Sequence, residues 1–154
     1  MPRPRILAAA LLVAVACICA TAPAGAAAPT VVTIQFDDGV ADQYGALAAL
    51  NAHGMHATFY VNSGVIGDAA HMTWNQLGDL YAAGNEIAGH TATHANLKKL
   101  KTGPARQEVC GDRVALFDHG FQPVSFAYPF GGIDAGAEAS SPRVATTAGA
   151  ASPV

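Results

Sequence analysis

Adjacent carboxylates and a spaced pair of histidines are the residues in this sequence that are best suited to chemistry. Asp37 and Asp38 follow an apolar run. His90 and His94 stand four positions apart further along the chain. One carboxylate and two imidazoles can supply three ligands to a divalent metal, and three protein ligands with an open fourth position are typical of a catalytic zinc. The second carboxylate would remain to accept a proton, so the pattern predicts metal-assisted hydrolysis.

The geometry of these residues stays open at the level of sequence. Neighbouring side chains on a strand point to opposite sides, so Asp37 and Asp38 are not expected to ligate one metal in the same way. If the segment after His90 is helical, His90 and His94 lie on one face, about 5–6 Å apart at Cβ. Each pattern also has an ordinary explanation: residues 37–39 have the composition of a common turn, and a histidine pair at this spacing is more often solvated or part of a core than ligating. The same ligand set also occurs in non-haem iron oxygenases, although the second carboxylate favours hydrolysis.

Alternating strand and helix patterns would position these residues. Continuous apolar or β-branched runs predict strands at residues 31–36, 57–61, 86–88 and 123–128. Helices are predicted at residues 42–53, from a capping box at 73–76 to just before Gly84, and at 104–119. This alternation indicates an α/β fold with parallel strands, in which reactive groups collect at the carboxyl ends of the strands. Residues 37–39, 90–94 and 129–132 all follow predicted strands.

The two ends of the chain differ in composition from the middle. Arg3 and Arg5 precede an apolar stretch and a run of small residues up to Ala26, which is typical of a secretory signal peptide. The stretch is shorter than the roughly 20 residues of a membrane span, so no stable membrane insertion is expected after cleavage. A lipoprotein anchor at Cys17 is the alternative. We predict a signal peptide at 1–26, a domain at 30–133, a low-complexity, disordered tail at 134–154, and a secreted or cell-envelope protein.

The net charge argues against one class of partner, and the cysteine count excludes one kind of covalent link. Removal of residues 1–26 would leave six basic and eleven acidic side chains, a formal charge of −5, so nucleic acid is not an expected partner. Cys110 would be the single remaining cysteine, which excludes an intrachain disulfide. Its spacing from Val114 and Phe117 predicts that Cys110 lies on the buried face of its helix.

Three ordered motifs resemble those of the polysaccharide deacetylases, the carbohydrate esterase group with the NodB homology domain. They are residues 33–39, 90–94 and 126–131, and residues 57–61 also fit the family. The resemblance covers residues 30–133. It implies a distorted (β/α) barrel, and barrels of this type generally need about 200 residues or more. The chain is therefore expected to form a partial barrel without its C-terminal strands, truncated after the third motif.

The resemblance also implies roles for individual residues. Asp37 would be the general base, and Asp38, His90 and His94 would hold a divalent metal, commonly zinc. A metal-bound water would attack an N-acetyl or O-acetyl group of an acetylated polysaccharide, such as a chitin-like, peptidoglycan or xylan chain. A backbone N–H near the third motif would help to hold the oxyanion. The residues implied for substrate binding are Tyr128, Pro129, Phe130 and Gly131.

Two departures from the family pattern lead to an alternative. Ala127 stands where many members carry an arginine that orients the base, although a subset resembles this chain. The later motifs of the family supply a histidine as general acid, and no histidine follows His119 in this sequence. Loss of general-acid assistance typically costs about 10²- to 10⁴-fold in rate. The alternative function is therefore a truncated, non-catalytic remnant that binds metal or glycan without turnover.

Overall fold

The computed structural model describes residues 30–133 and 145–146. Contacts divide the chain into one unit at residues 1–31 and a second at 32–154, and nearly all of the described residues belong to the second. The predicted signal peptide and most of the predicted tail lie outside the described residues. Within the described ranges, no helix is long and apolar enough to cross a membrane.

The described part of the chain forms a five-stranded parallel sheet. The strands are β1 (Gln35–Phe36), β2 (Thr58–Val61), β3 (Glu86–Gly89), β4 (Ser125–Phe126) and β5 (Ala145–Thr146). Their spatial order follows their order in the chain, and every neighbouring pair is parallel. Parallel neighbours require crossover connections, so the predicted α/β fold with a parallel sheet is confirmed. β5 lies inside the segment predicted as a tail.

Three helices connect the first four strands. They are α1 (Ala46–Ala52), α2 (Trp74–Ala82) and α3 (Thr102–Asp118), and short 3₁₀ turns occupy Ala41–Gly45, Leu97–Lys99 and Pro129–Gly131. The predicted capping box opens α2, because the Thr73 hydroxyl accepts from the Gln76 N–H at 3.2 Å. The Gln76 side chain accepts from the Thr73 N–H at 2.8 Å. Gly84, with φ +90°, follows the end of α2 as predicted.

Apolar side chains cover both faces of the sheet. One buried cluster joins β2 and β3 to α1, α2 and the end of α3 and consists mainly of Leu50, Phe59, Val61, Met72, Leu77, Leu80, Ile87, Leu116 and Phe121. A second cluster, between α3 and β4, contains Leu97, Ala105, Val109, Phe126 and Tyr128. Burial on both faces explains why β2 and β3 are nearly continuous apolar runs. The strands are thereby held rigidly, and their carboxyl ends share one edge of the sheet.

The prediction of a buried strand over residues 31–36 is wrong in length and in burial. β1 contains two residues, and Val31 and Val32 are each 80% exposed. Among the described strands β1 pairs with β2 alone, so it forms an edge. Phe36 packs inward by stacking on Phe59, with ring centroids 4.7 Å apart. An apolar run therefore predicted the strand correctly but overstated its burial.

α3 buries a different face from the one predicted. Its buried residues are Ala105, Val109, Asp112 and Leu116. Val114 and Phe117 are exposed, and Cys110 is half-buried. Both stripes have helical spacing, but the buried stripe includes a carboxylate, which makes it look polar in the sequence. The predicted packing of Cys110 is therefore wrong, although the predicted helix, at 104–119, is confirmed to within two residues.

Candidate metal centre

Three side chains converge where β1 and β3 end. Asp38 lies two residues beyond β1, and His90 follows β3 directly. The Oδ1 atom of Asp38 lies 3.3 Å from Nε2 of His90 and 3.1 Å from Nε2 of His94. All three potential ligand atoms lie within 4.8 Å of one another. The structure thus brings the three predicted metal ligands into one cluster.

The Asp38 carboxylate shows that this cluster fits a cation. Its Oδ1 atom is buried and makes no hydrogen bond, although two imidazole nitrogens lie close to it. A buried carboxylate oxygen without a partner is costly. A divalent metal between the three ligand atoms would remove that cost, and one carboxylate with two imidazoles is a ligand set suited to zinc.

The hydrogen bonds of His90 leave one nitrogen available for a metal. Nδ1 of His90 lies 2.9 Å from the carbonyl oxygen of Ala127. A carbonyl can only accept, so Nδ1 carries the proton and Nε2 faces Asp38 with its lone pair. Burial lowers the pKa of His90, and this outweighs the opposing effects of the Ala127 carbonyl and of the Asp37 and Asp38 charges. Burial therefore favours the neutral imidazole, which is the form that binds a metal.

The segment after His90 is not helical, which corrects the geometry considered for the histidine pair. Thr91 and His94 have φ of +68° and +57°, and the next helical turn begins only at Leu97. The two left-handed residues reverse the chain locally, so the imidazole rings of His90 and His94 approach with centroids 5.0 Å apart. The pair is thus brought together by a turn of the loop rather than by one helix face.

Backbone strain concentrates at this site. The non-glycine residues with positive φ in the described ranges are Asp38, Thr91, His94 and Phe130. Each such conformation costs of order 1 kcal/mol or more, and such residues cluster at functional sites. All four belong to the three loops that surround the histidine pair, so the surrounding contacts hold these loops in a specific conformation.

Asp37 stands beside the cluster but outside it. It lies between β1 and Asp38 and is exposed. Its main-chain carbonyl accepts a hydrogen bond from Nε2 of Gln43 at 2.5 Å, and its charge acts on the titration of His90. The structure therefore separates the two neighbouring carboxylates, as expected: Asp38 joins the imidazoles, and the Asp37 carboxylate remains accessible.

The third motif borders the same site, and its two aromatic side chains differ in exposure: Tyr128 is buried and Phe130 is exposed. Tyr128 is buried edge-on against Phe126, with ring centroids 5.0 Å apart, and Pro129 is also buried. Phe130 is 69% exposed, and its ring centroid lies 4.6 Å from that of His94. The Gly131 N–H donates to the Tyr128 carbonyl at 3.1 Å. Of the four predicted substrate residues, Phe130 thus presents an exposed ring next to the histidines.

Sequence reasoning missed a buried carboxylate that supports the site. Asp112 of α3 is fully buried; its Oδ1 accepts from the Ser63 N–H at 2.9 Å and its Oδ2 from the His90 N–H at 3.1 Å. Burial raises the pKa of Asp112 to about 6, although these N–H groups favour the charged form. The available signal was an acidic residue within the apolar stripe that Val109 and Leu116 mark on α3.

Two further side chains that hold this loop were also missed. The carboxylate of Glu108 accepts from the Thr93 N–H at 2.9 Å and from the Thr93 hydroxyl at 2.8 Å. Nδ2 of Asn62 donates to the carbonyls of His90 and Thr91, at 2.5 and 3.0 Å. Their partners are backbone groups and a hydroxyl distant in sequence, so no local pattern indicated them.

Two histidines outside the motifs, His71 and His119, have structural contacts. His119 stacks on Trp74 with ring centroids 3.6 Å apart, and its Nδ1 donates to the Ala115 carbonyl. His71 lies 2.7 Å from the Asp68 carboxylate and lowers the pKa of that group. Neither belongs to the cluster of Asp38, His90 and His94.

Comparison with known proteins identifies the family. The family model described as polysaccharide deacetylase matches residues 24–148. The chain belongs to the polysaccharide deacetylase family. The Bacillus subtilis (strain 168) protein YxkH, provisionally named as a polysaccharide deacetylase, is 36% identical over 103 residues. That match covers 65% of this chain and 37% of YxkH. The predicted family resemblance is thus confirmed.

Solved structures of deacetylases have the same fold. The Streptococcus pyogenes deacetylase PplD, in complex with acetate, matches with a TM-score of 0.70 and 25% identity over 74% of this chain and 52% of PplD. The peptidoglycan deacetylase PdaC from Bacillus subtilis matches with a TM-score of 0.62 and 23% identity, over 71% and 54% of the two chains. The α/β fold predicted from the resemblance to polysaccharide deacetylases is confirmed. The chain spans about half the length of these structures.

Proposed function

We propose that this protein is a secreted, metal-dependent deacetylase that removes acetyl groups from a polysaccharide. The observation that carries the proposal is the convergence of Asp38, His90 and His94 around a buried carboxylate oxygen that has no hydrogen bond, in a chain of the polysaccharide deacetylase family. Zinc is the ion best matched to this ligand set. The composition of residues 1–26 supports export, and N-acetyl groups of chitin-like or peptidoglycan chains, or O-acetyl groups of xylan, are the proposed substrates.

Each side chain of the site has a distinct part in the proposed reaction. A divalent cation, when bound, polarises an acyl oxygen and lowers the pKa of a coordinated water. Asp38, His90 and His94 would hold that cation, and the Ala127 carbonyl keeps His90 in the ligating tautomer. Asp37 would act as the general base, because its carboxylate is accessible beside the ligands and outside their cluster.

The third motif supplies the proposed surface for the sugar. Phe130 exposes its ring beside His94, and an exposed aromatic face suits the apolar side of a pyranose ring. Phe130 also lies in a 3₁₀ turn with φ +60°, so the backbone orientation there is fixed by the fold. A backbone N–H of this turn is the proposed partner for the developing negative charge on the acetyl oxygen. Tyr128 and Pro129 of the same motif are buried, and the Tyr128 ring packs edge-on against Phe126.

Acetate release by the zinc-loaded full chain tests the proposal. The substrates are an acetylated chitooligosaccharide, a peptidoglycan fragment and an acetylated xylan. We expect release from at least one of them, and we expect Asp37→Asn to bind zinc normally while losing about 10²- to 10⁴-fold in rate. Asp42→Asn is the matched control, because Asp42 is an exposed acid of the following 3₁₀ turn.

Two results would contradict the proposal. Stoichiometric zinc binding without acetate release from any of these substrates would mean that the site holds metal without turnover. Acetate release that survives Asp37→Asn unchanged would exclude Asp37 as the base.

A further inference from the structure

Two carboxylate side chains of α3 bind the loop that carries both histidines. This loop, residues 90–95, is called the histidine loop below. Glu108 and Asp112 stand four positions apart on α3, so both project from one face of the helix. Asp112 accepts from the His90 N–H at 3.1 Å. Glu108 accepts from the N–H and the hydroxyl of Thr93 at 2.9 and 2.8 Å.

Within the histidine loop, the Ala95 N–H donates to the Thr91 hydroxyl at 3.0 Å, and the other partners of its backbone N–H groups lie outside the loop. The loop has no regular secondary structure, and its residues Thr91 and His94 have positive φ, which a free chain rarely adopts. The N–H of Ala92 also donates to α3, to the main-chain carbonyl of Glu108 at 3.1 Å. Three backbone N–H groups of the loop, those of His90, Ala92 and Thr93, therefore have partners on α3. α3 therefore contributes to the conformation that brings the imidazoles together, alongside Asn62 and the Val61 carbonyl, which also accepts from the His90 N–H at 3.1 Å.

We propose that Glu108 and Asp112, the carboxylate pair of α3, are positioning residues of the metal centre. Asp112 fixes the start of the histidine loop, and Glu108 fixes its middle, one residue before His94. Together they set the separation and orientation of the two imidazoles. The inference rests on the proposed function to the extent that the cluster binds a metal.

Replacement of the carboxylate by the corresponding amide is expected to have different effects at positions 108 and 112, because their hydrogen-bond partners differ. Each carboxylate oxygen of Asp112 accepts from a backbone N–H, Oδ1 from that of Ser63 and Oδ2 from that of His90, and a backbone N–H can only donate. An asparagine at 112 would place its NH₂ group against one of these donors. Glu108 faces one N–H and one hydroxyl, and a hydroxyl can donate or accept. A glutamine at 108 therefore satisfies both groups of Thr93, whereas an alanine satisfies neither.

The experiment measures metal binding by the full chain in variants of both positions. The zinc dissociation constant comes from competition with a chromogenic chelator, and the visible spectrum of the cobalt(II) form reports ligand geometry. We expect Asp112→Asn and Glu108→Ala to weaken zinc binding by about 10- to 100-fold, as loss of a partner behind a metal ligand typically does, and to change the cobalt spectrum. Glu108→Gln should match the wild type. Asp118→Asn, at the exposed far end of α3, is the control.

The outcomes separate this inference from the proposed function. Wild-type zinc affinity and cobalt spectra in folded Asp112→Asn and Glu108→Ala would overturn it. Equal losses in Glu108→Gln and Glu108→Ala would also overturn it, because charge rather than hydrogen bonding would then matter. If Asp112→Asn does not fold, the two Glu108 variants decide. A wild-type chain that binds no zinc would instead contradict the proposed function itself.

Discussion

Gly89 is the last residue of β3, and the space beside its α-carbon is filled. A Cβ atom there would lie 2.7 Å from Oδ2 of Asp112 and 3.2 Å from the ring of Phe126. We expect Gly89→Ala to lower the free energy of unfolding by about 1–3 kcal/mol, because the carboxylate and the ring must both move. Urea denaturation measures this change.

A second glycine provides the control for Gly89→Ala. Gly111 lies inside α3, and a Cβ atom there would have no neighbour within 4 Å. Gly111→Ala should therefore stabilise the protein by about 0.5–1 kcal/mol through helix propensity alone. Equal stability of Gly89→Ala and the wild type would contradict the close packing of β3 against α3.

The raised pKa of Asp112 predicts a pH-dependent stability. Burial brings this pKa to about 6 from an ordinary value of 3.8, so between these values the folded state holds a proton that the unfolded state has lost. The contribution of Asp112 to the free energy of unfolding therefore falls as pH rises from about 4 to 6, by about 3 kcal/mol. Asp112→Asn has no carboxyl at this position, so its free energy of unfolding lacks this pH-dependent contribution. The free energy of unfolding of the wild type minus that of Asp112→Asn should therefore be larger at pH 4.5 than at pH 7.5.

Thermal denaturation of both proteins across this pH range checks the prediction. The comparison with Asp112→Asn removes the opposite effect of His90, whose lowered pKa favours unfolding in acid. A difference that is independent of pH would show that the Asp112 carboxyl titrates as it does in the unfolded chain.

At the scale of single elements, the start of α2 depends on its capping box. The Thr73 hydroxyl and the Gln76 side chain each satisfy a backbone N–H of the other residue. We expect Thr73→Ala to cost about 1 kcal/mol of stability, because the Gln76 N–H loses its partner. Thr73→Ser keeps the hydroxyl and should retain most of the stability in the same urea experiment. Similar losses in both variants would assign the effect to the threonine methyl group instead.

The elements that sequence predicted best are those with strong periodic patterns. β2, β3, α2 and α3 lie within about three residues of their predicted bounds, because their apolar residues pack on the sheet in the way the patterns require. β1 was placed correctly at its end but not in its burial, since an apolar run does not reveal which strand forms the edge. The position of Asp37, Asp38, His90 and His94 after predicted strands indicated that they meet at one edge of the sheet, whereas the choice of Asp38 over Asp37 as a ligand came from the resemblance to polysaccharide deacetylases.

The conformation of the histidine loop could not be predicted in the same way. Its left-handed residues are Thr91 and His94; histidine adopts positive φ more often than most residues, but a β-branched threonine rarely does, so the sequence does not indicate the turn. The bonds that hold the loop come from Glu108 and Asp112, which act on backbone N–H groups rather than on a recognisable partner side chain. Contacts of this kind leave no pattern in one sequence.

At the scale of the whole molecule, a metal would join segments that are far apart in the chain. Asp38 follows β1, whereas His90 and His94 follow β3, so a bound ion would link both ends of the β1–β3 region. Zinc at 100 times its dissociation constant should stabilise the folded state by about 2.7 kcal/mol, which corresponds to a rise in Tm of about 10 °C for a domain of this size. A chelator should reverse the rise.

Replacing one of the metal ligands tests whether the stabilisation by zinc comes from this site. His94→Ala removes one of the three ligands, and its Tm should respond little to zinc. The same rise in His94→Ala as in the wild type would mean that zinc binds elsewhere, and no rise in the wild type would argue against a metal centre at this edge of the sheet.

The bond between His90 and Ala127 has a consequence for how substitutions act on the molecule. The acceptor is a main-chain carbonyl, which every amino acid carries, and the Ala127 N–H donates to the Gly89 carbonyl at 3.0 Å, which every residue except proline can also do. A substitution at 127 would therefore retain the carbonyl that selects the ligating nitrogen of His90. A position can be indispensable to a ligand while showing no preference for any side chain, so substitution tolerance at 127 says nothing about its importance.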